Sequence, residues 1–254
     1  MIELDGVTKN YGSFTAVDNI SLRVEPGELF GFLGPNGAGK TTTIKMITGL
    51  LQPTSGNIEV AGFDLAKYPE DAKRRVGFIP DRPFIYSRLT AAEFLRFMGG
   101  LWEMDELEIA DRGTRLLELF DLTGWEDELV ESFSHGMRQK LIIAGALLHD
   151  PEVIVVDEPM VGLDPASIRL VKDIFRELCS RGRSVFMSTH TLAVAEETCS
   201  RVAIIQGGQI RAAGTLEELR HQSHKEGSGL EDVFLSLTSG EKIKKIDWLE
   251  GPRP

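Results

Sequence analysis

Cysteine is scarce in this chain, basic runs are absent and no apolar stretch approaches membrane-spanning length, and each shortage removes a class of function. The two cysteines, Cys179 and Cys199, stand in helical surroundings with no CxxC or metal-ligand spacing, which suits a reducing compartment and reads both as small core residues. Lys and Arg total 28 against 39 Asp and Glu, a formal charge of −11. Without a basic run to neutralise a phosphate backbone, this balance argues against nucleic acid as a main partner. The longest apolar stretch, Leu141 to Leu148, is far short of the roughly 20 residues a membrane helix needs. The sequence opens directly on a strand-like Met1-Ile2-Glu3-Leu4, so a protein made and kept in the cytoplasm is expected. No internal repeat is found, and 254 residues suffice for one well-buried core with room for a subdomain.

What the chain does contain is a phosphate-binding pattern. Gly34-Pro35-Asn36-Gly37-Ala38-Gly39-Lys40-Thr41 spells G-x-x-x-x-G-K-[ST], between a strand expected over Glu28 to Leu33 and a helix expected to open at Lys40. Glycines let the backbone turn tightly and aim its N–H groups inward, so the phosphates of a nucleotide would sit at a helix N-terminus. Lys40 would add a positive charge at the β- and γ-phosphates. The hydroxyl of Thr41 is placed to ligate the Mg²⁺ that travels with a nucleotide, and Thr42 can add a further donor.

Around this loop the pattern of residues changes along the chain. Alternation in Ile20 to Val24 and Asn57 to Val60, with turn signals at Pro26-Gly27 and Thr54-Ser55-Gly56, predicts half-exposed antiparallel strands. A helical insertion follows from about Pro83 to His149, with a capping box at Thr90 to Glu93 and helical spacing over Ala91 to Met104 and Ile109 to Phe120. Val153 to Val156 is an uninterrupted β-branched run suited to a parallel strand covered on both faces, with Ser184 to Met187 and Val202 to Ile205 as its neighbours. Pro165 to Arg181 should pack a helix face on that sheet, and Gln206 to Gln209 resembles a hairpin turn. Beyond about Lys225, Leu230, Val233, Phe234 and Leu237 make a short amphipathic stripe before a charged, proline-ended segment.

Two adjacent acids, Asp157 and Glu158, end the most hydrophobic strand, where the C-terminal edge of a parallel sheet presents ligands. Asp157 could hold Mg²⁺ through water while Glu158 orients and polarises the attacking water of a phosphoryl transfer. The bland alternative is a pair of helix-capping acids before Pro159. His190 ends the next strand, Ser188-Thr189-His190, and can reach the γ-phosphate at the same edge.

This ordered set resembles the nucleotide-binding subunit of an ATP-binding cassette (ABC) transporter, over about residues 2 to 220. The resemblance rests on the phosphate loop, on Ser134-His135-Gly136-Met137-Arg138-Gln139 as the family signature, on Val153 to Glu158 as Walker B, on Gly162-Leu163-Asp164 as the D-loop, and on His190 as the switch histidine. It implies that two subunits pair head to tail around two ATP molecules, each held by one phosphate loop and the other subunit's signature helix. Tyr11 falls where the family places an aromatic that stacks on adenine, although a turn residue is the alternative there. Ser134 and Gly136 precede the helical run Arg138 to Leu148, so their donors would face a partner's γ-phosphate. Asp164 would belong to the dimer contact.

Taken with the element pattern, the resemblance implies an α/β fold: a P-loop NTPase core with an N-terminal antiparallel β subdomain and an inserted α-helical subdomain. The expected division is 1–82 and 150–220 for the core, 83–149 for the signature-bearing helices, and 221–254 for a C-terminal extension. The chain also departs from the family. Asp81 stands where Gln is usual after Val76-Gly77-Phe78-Ile79-Pro80; it would still ligate Mg²⁺ but position water less well, or else cap the turn at Arg82-Pro83. His135 replaces a common Gly and Met137 a common Gln.

The leading expectation is an ATP-hydrolysing motor of a transporter, peripheral at the cytoplasmic face, with multi-span membrane subunits as partners and a symmetric homodimer as the simplest pairing. The segment Pro83, Phe84, Ile85, Tyr86 and Leu89 fits a groove for a membrane partner. Gly229 to Leu235 resembles the endings of bacterial export-type subunits, which favours efflux. The alternatives are a soluble ABC ATPase acting on a macromolecular complex and a nucleotide-gated regulatory subunit, the latter motivated by Asp81.

Overall fold

The computed structural model describes residues 1–81, 85–160, 162–223 and 229–238. β1 (Ile2–Tyr11) and β2 (Phe14–Val24) form an antiparallel hairpin, with Ile2, Leu4, Val7, Ile20, Leu22 and Val24 buried on its inner face. β3 (Leu29–Leu33) is buried along its whole length and leads through the phosphate loop into α1 (Lys40–Ile47). β4 (Ser55–Val60) and the short β5 (Phe63–Asp64) complete a four-stranded antiparallel sheet in the order β2-β1-β4-β5. α2 (Pro69–Lys73) then returns the chain to β6 (Val76–Ile79).

The next stretch is helical. α3 (Ala91–Leu101) starts at the expected capping box, with Thr90 and Glu93 exchanging both bonds. It ends at Leu101, with Trp102 as its C-cap, earlier than Met104, because Gly99 and Gly100 weaken the last turn and Glu103 takes a left-handed backbone (φ 57°). α4 (Glu106–Leu119) and a 3₁₀ turn at Val130–Ser132 lead to α5 (His135–Leu147). α5 begins at His135, three residues before the expected Arg138, because Ser134 caps it by accepting the Met137 N–H at 3.3 Å.

β7 (Val153–Asp157), α6 (Pro165–Ser180), β8 (Ser184–Thr189), α7 (Leu192–Thr198), β9 (Arg201–Gln206), β10 (Gln209–Gly214), α8 (Leu216–Gln222) and α9 (Leu230–Thr238) complete the chain. The second sheet runs β10-β9-β3-β8-β7-β6; β9, β3, β8, β7 and β6 are parallel and β10 pairs antiparallel with β9 through the expected Gln206–Gln209 turn. Val153 to Val156 have zero exposure, as a strand covered on both faces requires. Phe186 on β8 packs beside Phe30 and Phe32 of β3, with ring centroids 6.0 Å and 5.2 Å apart. Cys179 and Cys199 are free and partly buried in the core, which pushes their thiols up to about 11 and about 12. Among the described residues no helix is long and apolar enough to cross a membrane. Arg82, Pro83, Phe84 and the charged tail segment lie outside the described residues.

The helical stretch is joined to the core at a seam where Trp102 stacks on His149, 4.2 Å between centroids. The residues that follow them, Glu103 and Asp150, both have left-handed backbones and pair with Arg74 and Arg183 at 3.0 Å and 2.8 Å. Trp102 Nε1 and both ring nitrogens of His149 are buried without a hydrogen-bond partner among the described residues. Burial therefore pushes the His149 imidazole down to about 4. The folded state keeps this ring neutral, whereas the unfolded chain takes up its proton near pH 6.5, so stability is present above that pH and is lost as pH falls toward 4. The loss should be on the order of 2 kcal/mol. His149→Phe, which keeps the stack and cannot titrate, should flatten this part of the slope when urea unfolding is compared between pH 7.5 and pH 4.5.

Candidate functional site

Four neighbouring parallel strands deliver the chemistry to one edge. β3 leads into the phosphate loop, β8 runs to Thr189 and His190, β7 ends in Asp157 and is followed by Glu158, and Asp81 follows β6. All point their C-terminal ends the same way, so residues far apart in sequence converge. A cavity of ≈ 330 Å³ results, lined by Tyr11, by the phosphate loop at Pro35 to Gly37 and Gly39 to Thr42, and by Asp81, Asp157 and Glu158.

The loop has the conformation its glycines were expected to allow. Gly39, the residue before α1, has φ +112°, and a methyl group on it would lie 2.7 Å from the Ala16 carbonyl oxygen. Neither the backbone angle nor the space admits a side chain. The first N–H groups of α1 have no acceptor within the helix and open toward the cavity end, the arrangement that receives anions. Lys40 is buried and donates from Nζ to the carbonyls of Gly34 (2.7 Å) and Pro35 (3.3 Å). Burial lowers its pKa, and the nearby Glu158 and Asp157 oppose that shift.

Asp157 is 4% exposed and accepts from Thr41 Oγ1 at 3.1 Å and from Ser188 Oγ. Both carboxylate oxygens are thus satisfied by hydroxyls, one of them from the phosphate loop. Glu158 has a left-handed backbone (φ 54°), held by its N–H on the Ser188 carbonyl at 3.2 Å. Its Oε1 lies 2.8 Å from His190 Nδ1, and the His190 N–H donates to Oε2 at 3.4 Å. A strained backbone with its side chain fixed at both oxygens is the kind of feature that accumulates at functional sites. The histidine thus meets Glu158 directly.

Thr41, Asp157 and Asp81 offer only hard oxygen donors. Among the described residues, no group of three or more His, Cys, Asp or Glu could hold a metal. The oxygen donors of Thr41, Asp157 and Asp81 fit Mg²⁺, which binds through one or two carboxylates while substrate phosphates and water complete its shell. Gly34, Pro35, Asn36, Gly37 and Ala38 form the loop itself, Thr42 lines the same wall, and Tyr11 stands half exposed at the mouth with Lys9 Nζ 5.5 Å from its ring centroid.

Other expected residues lie outside this cavity. Ser134 caps α5 and Gly136 sits in its first turn. Asp164 caps α6, accepting the N–H groups of Ala166 and Ser167 at 3.0 Å each; the Ser167 hydroxyl, with these N–H groups, holds its carboxyl below the usual range. Two residues went unnoticed in the sequence. Phe14, 63% exposed beside Tyr11 at the mouth, carries no signal except an apolar residue just after the Gly12 turn. Ser188 was legible only through the pairing that sets it opposite Asp157.

A phosphate loop, a buried acid on its threonine and an acid with a histidine at the same sheet edge define a P-loop nucleotide hydrolase. The family model described as ABC transporter matches residues 17–161, and the chain belongs to that family as an ATP-binding, ATP-hydrolysing transporter subunit. The Nod factor export ATP-binding protein I of Cupriavidus metallidurans is 37% identical over 219 residues, 86% of this chain and 72% of the relative. A solved ATP-binding subunit of an ABC transporter superposes with TM-score 0.89 at 35% identity, covering 94% of this chain and 99% of that one. A dimeric ATP-binding cassette in a post-hydrolysis state with ADP and Pi matches with TM-score 0.75 at 26% identity, covering 85% and 99%.

Gly39→Ala should weaken ATP binding about tenfold or more, because left-handed strain on the order of 1–2 kcal/mol adds to the collision with the Ala16 carbonyl. Titration with a fluorescent nucleotide analogue, beside a thermal melt to verify folding, checks this.

Proposed function

We propose that the chain is the motor of an exporter: two copies pair head to tail around two ATP molecules and drive partner membrane subunits from the cytoplasmic face. One observation carries the composite-site reading. Ser134 and Gly136 open α5 outside the cavity that holds Lys40, Thr41 and Asp157, so a γ-phosphate received at that helix N-terminus would come from another subunit's nucleotide. The dimeric neighbour supports the pairing, and Asp164, at the head of α6, would stand at the contact.

In this reading the α1 N-terminus and Lys40 bind the phosphates, Tyr11 stacks on adenine, and Thr41, Asp157 and Asp81 hold Mg²⁺. Mg²⁺ held there would supply charge neutralisation for the phosphates. Glu158 is the general base that orients the attacking water, and His190 fixes its carboxylate while facing the γ-phosphate. The contact at 2.8 Å supports that division of labour, since a carboxylate held at both oxygens keeps one lone pair aimed.

Export is supported by the printed name of the Nod factor relative and by the C-terminal stretch. For the membrane partner, Tyr86, Phe97 and Leu101 expose 48%, 40% and 60% of their surfaces on the helical stretch, with the Tyr86 and Phe97 rings edge to face at 5.2 Å. Ile85 and Leu89 instead pack against the core.

Steady-state Mg²⁺-ATPase activity per subunit should rise with protein concentration, and Glu158→Gln should lower it by about 10²- to 10⁴-fold while sedimenting as a dimer with ATP. A rate independent of concentration, or a monomeric Glu158→Gln variant, would sink the composite site. Asp81→Gln should raise turnover and relax the dependence on Mg²⁺; an unchanged rate and unchanged Mg²⁺ titration would remove Asp81 from the metal set. Co-purification of the chain with a multi-span membrane protein tests the partner.

A further inference from the structure

His135 departs from the family signature, and the structure gives its side chain a neighbour. Gly162 lies in the turn between β7 and α6 with φ +79°. A methyl group built on Gly162 would fall 2.2 Å from Cδ2 and 2.3 Å from Nε2 of His135. The imidazole therefore occupies the space that any side chain at 162 would need. Gly136 approaches the same place: a methyl there would lie 3.6 Å from the Gly162 carbonyl oxygen. Two residues on, Asp164 fastens the turn to α6 through Ala166 and Ser167. The signature turn and the D-loop thus meet inside one subunit, with His135 as the piece that fills the gap.

We propose that His135 is a positioning residue that locks the signature turn to the D-loop of its own subunit, so that both elements face the second subunit as one surface. The inference rests on the composite-site reading above. Its physical basis is the origin of the two elements. α5 packs on α3 of the helical stretch and on β6, whereas the turn at Gly162 follows β7, the neighbour of β6 near one edge of the parallel sheet. Small rotations of one against the other would misplace donors that must meet a phosphate within hydrogen-bonding distance. His135 and Gly162 are both exposed, and the ring lies across the glycine, so sliding of one turn past the other would have to displace it. Glycine at 162 is needed twice, for its left-handed backbone and for the room it leaves the ring. The role is one of packing, and it does not require the ring to carry charge.

A double-mutant cycle tests it, read as ATPase rate per subunit at fixed concentration and as ATP-dependent dimer formation in the Glu158→Gln background. His135→Gly and Gly162→Ala should each lower the rate about three- to tenfold, with ATP affinity of the single subunit unchanged. The double variant should lose less than the product of the two single losses, because both changes remove the same contact and only the backbone strain at Gly162 is separate. His135→Phe, which keeps a ring and loses its nitrogens, should retain at least half of the parent rate. Costs that multiply, or a His135→Gly variant as fast as the parent, would overturn the lock. A nuclear Overhauser contact between the His135 ring protons and the Gly162 α protons in the nucleotide-free subunit stands apart from any dimer. Its presence in a chain whose rate ignores concentration would refute the composite site and, with it, the lock's function; its absence would refute the lock alone.

Discussion

The site depends on one buried carboxylate. Asp157 ends β7, a strand buried along its whole length, almost wholly out of water, where an ionised group is tolerable only with its oxygens satisfied. It receives Thr41 from the head of α1 and Ser188 from β8, so one side chain ties the phosphate loop to two neighbouring strands. Deleting either hydroxyl would strand part of a buried charge, which costs more than the net worth of an ordinary hydrogen bond. The position of Lys40 follows, since it sits one residue before Thr41 and its depressed pKa is moderated by the acids that Asp157 and Glu158 bring to the same edge.

Glu158 shows a different constraint. Its backbone lies in a region that a non-glycine residue enters only when its surroundings insist, and the surroundings here are the Ser188 carbonyl and the His190 ring. A residue prepared in this way does not have to search for its orientation when substrate arrives. The acidic chain as a whole fits the same economy: its positive charge at the cavity is confined to where phosphates would sit.

Much of this was legible in the residues. Val153 to Val156 declared a doubly covered strand, Thr90 with Glu93 declared a helix start, and the spacing around Lys40 declared the loop, because each is a local pattern with a local cause. The two fold-level features, an antiparallel sheet near the N-terminus and helices inserted before β7, followed from periodicity. What stayed hidden depends on register across the sheet. Ser188 matters because it pairs opposite Asp157, a relation with no trace in the order of residues, whereas Phe14 stands beside Tyr11 across the Gly12 turn and only its exposure at the cavity was hidden. Helix ends slipped for a related reason: the Ser134 cap moved the start of α5 to His135, and paired glycines ended α3 early.

Leu33, the last residue before the phosphate loop, belongs to the same apolar cluster as Leu219, Leu230 and Val233, so the strand that launches the loop shares its packing with the final helix described. Gln206 adds a bond to the Thr238 carbonyl at 3.0 Å. α9 is therefore no detachable appendage: a truncation that removes it would uncover Leu33 and loosen the packing behind the strand that launches the phosphate loop, at a distance from every residue that lines the cavity.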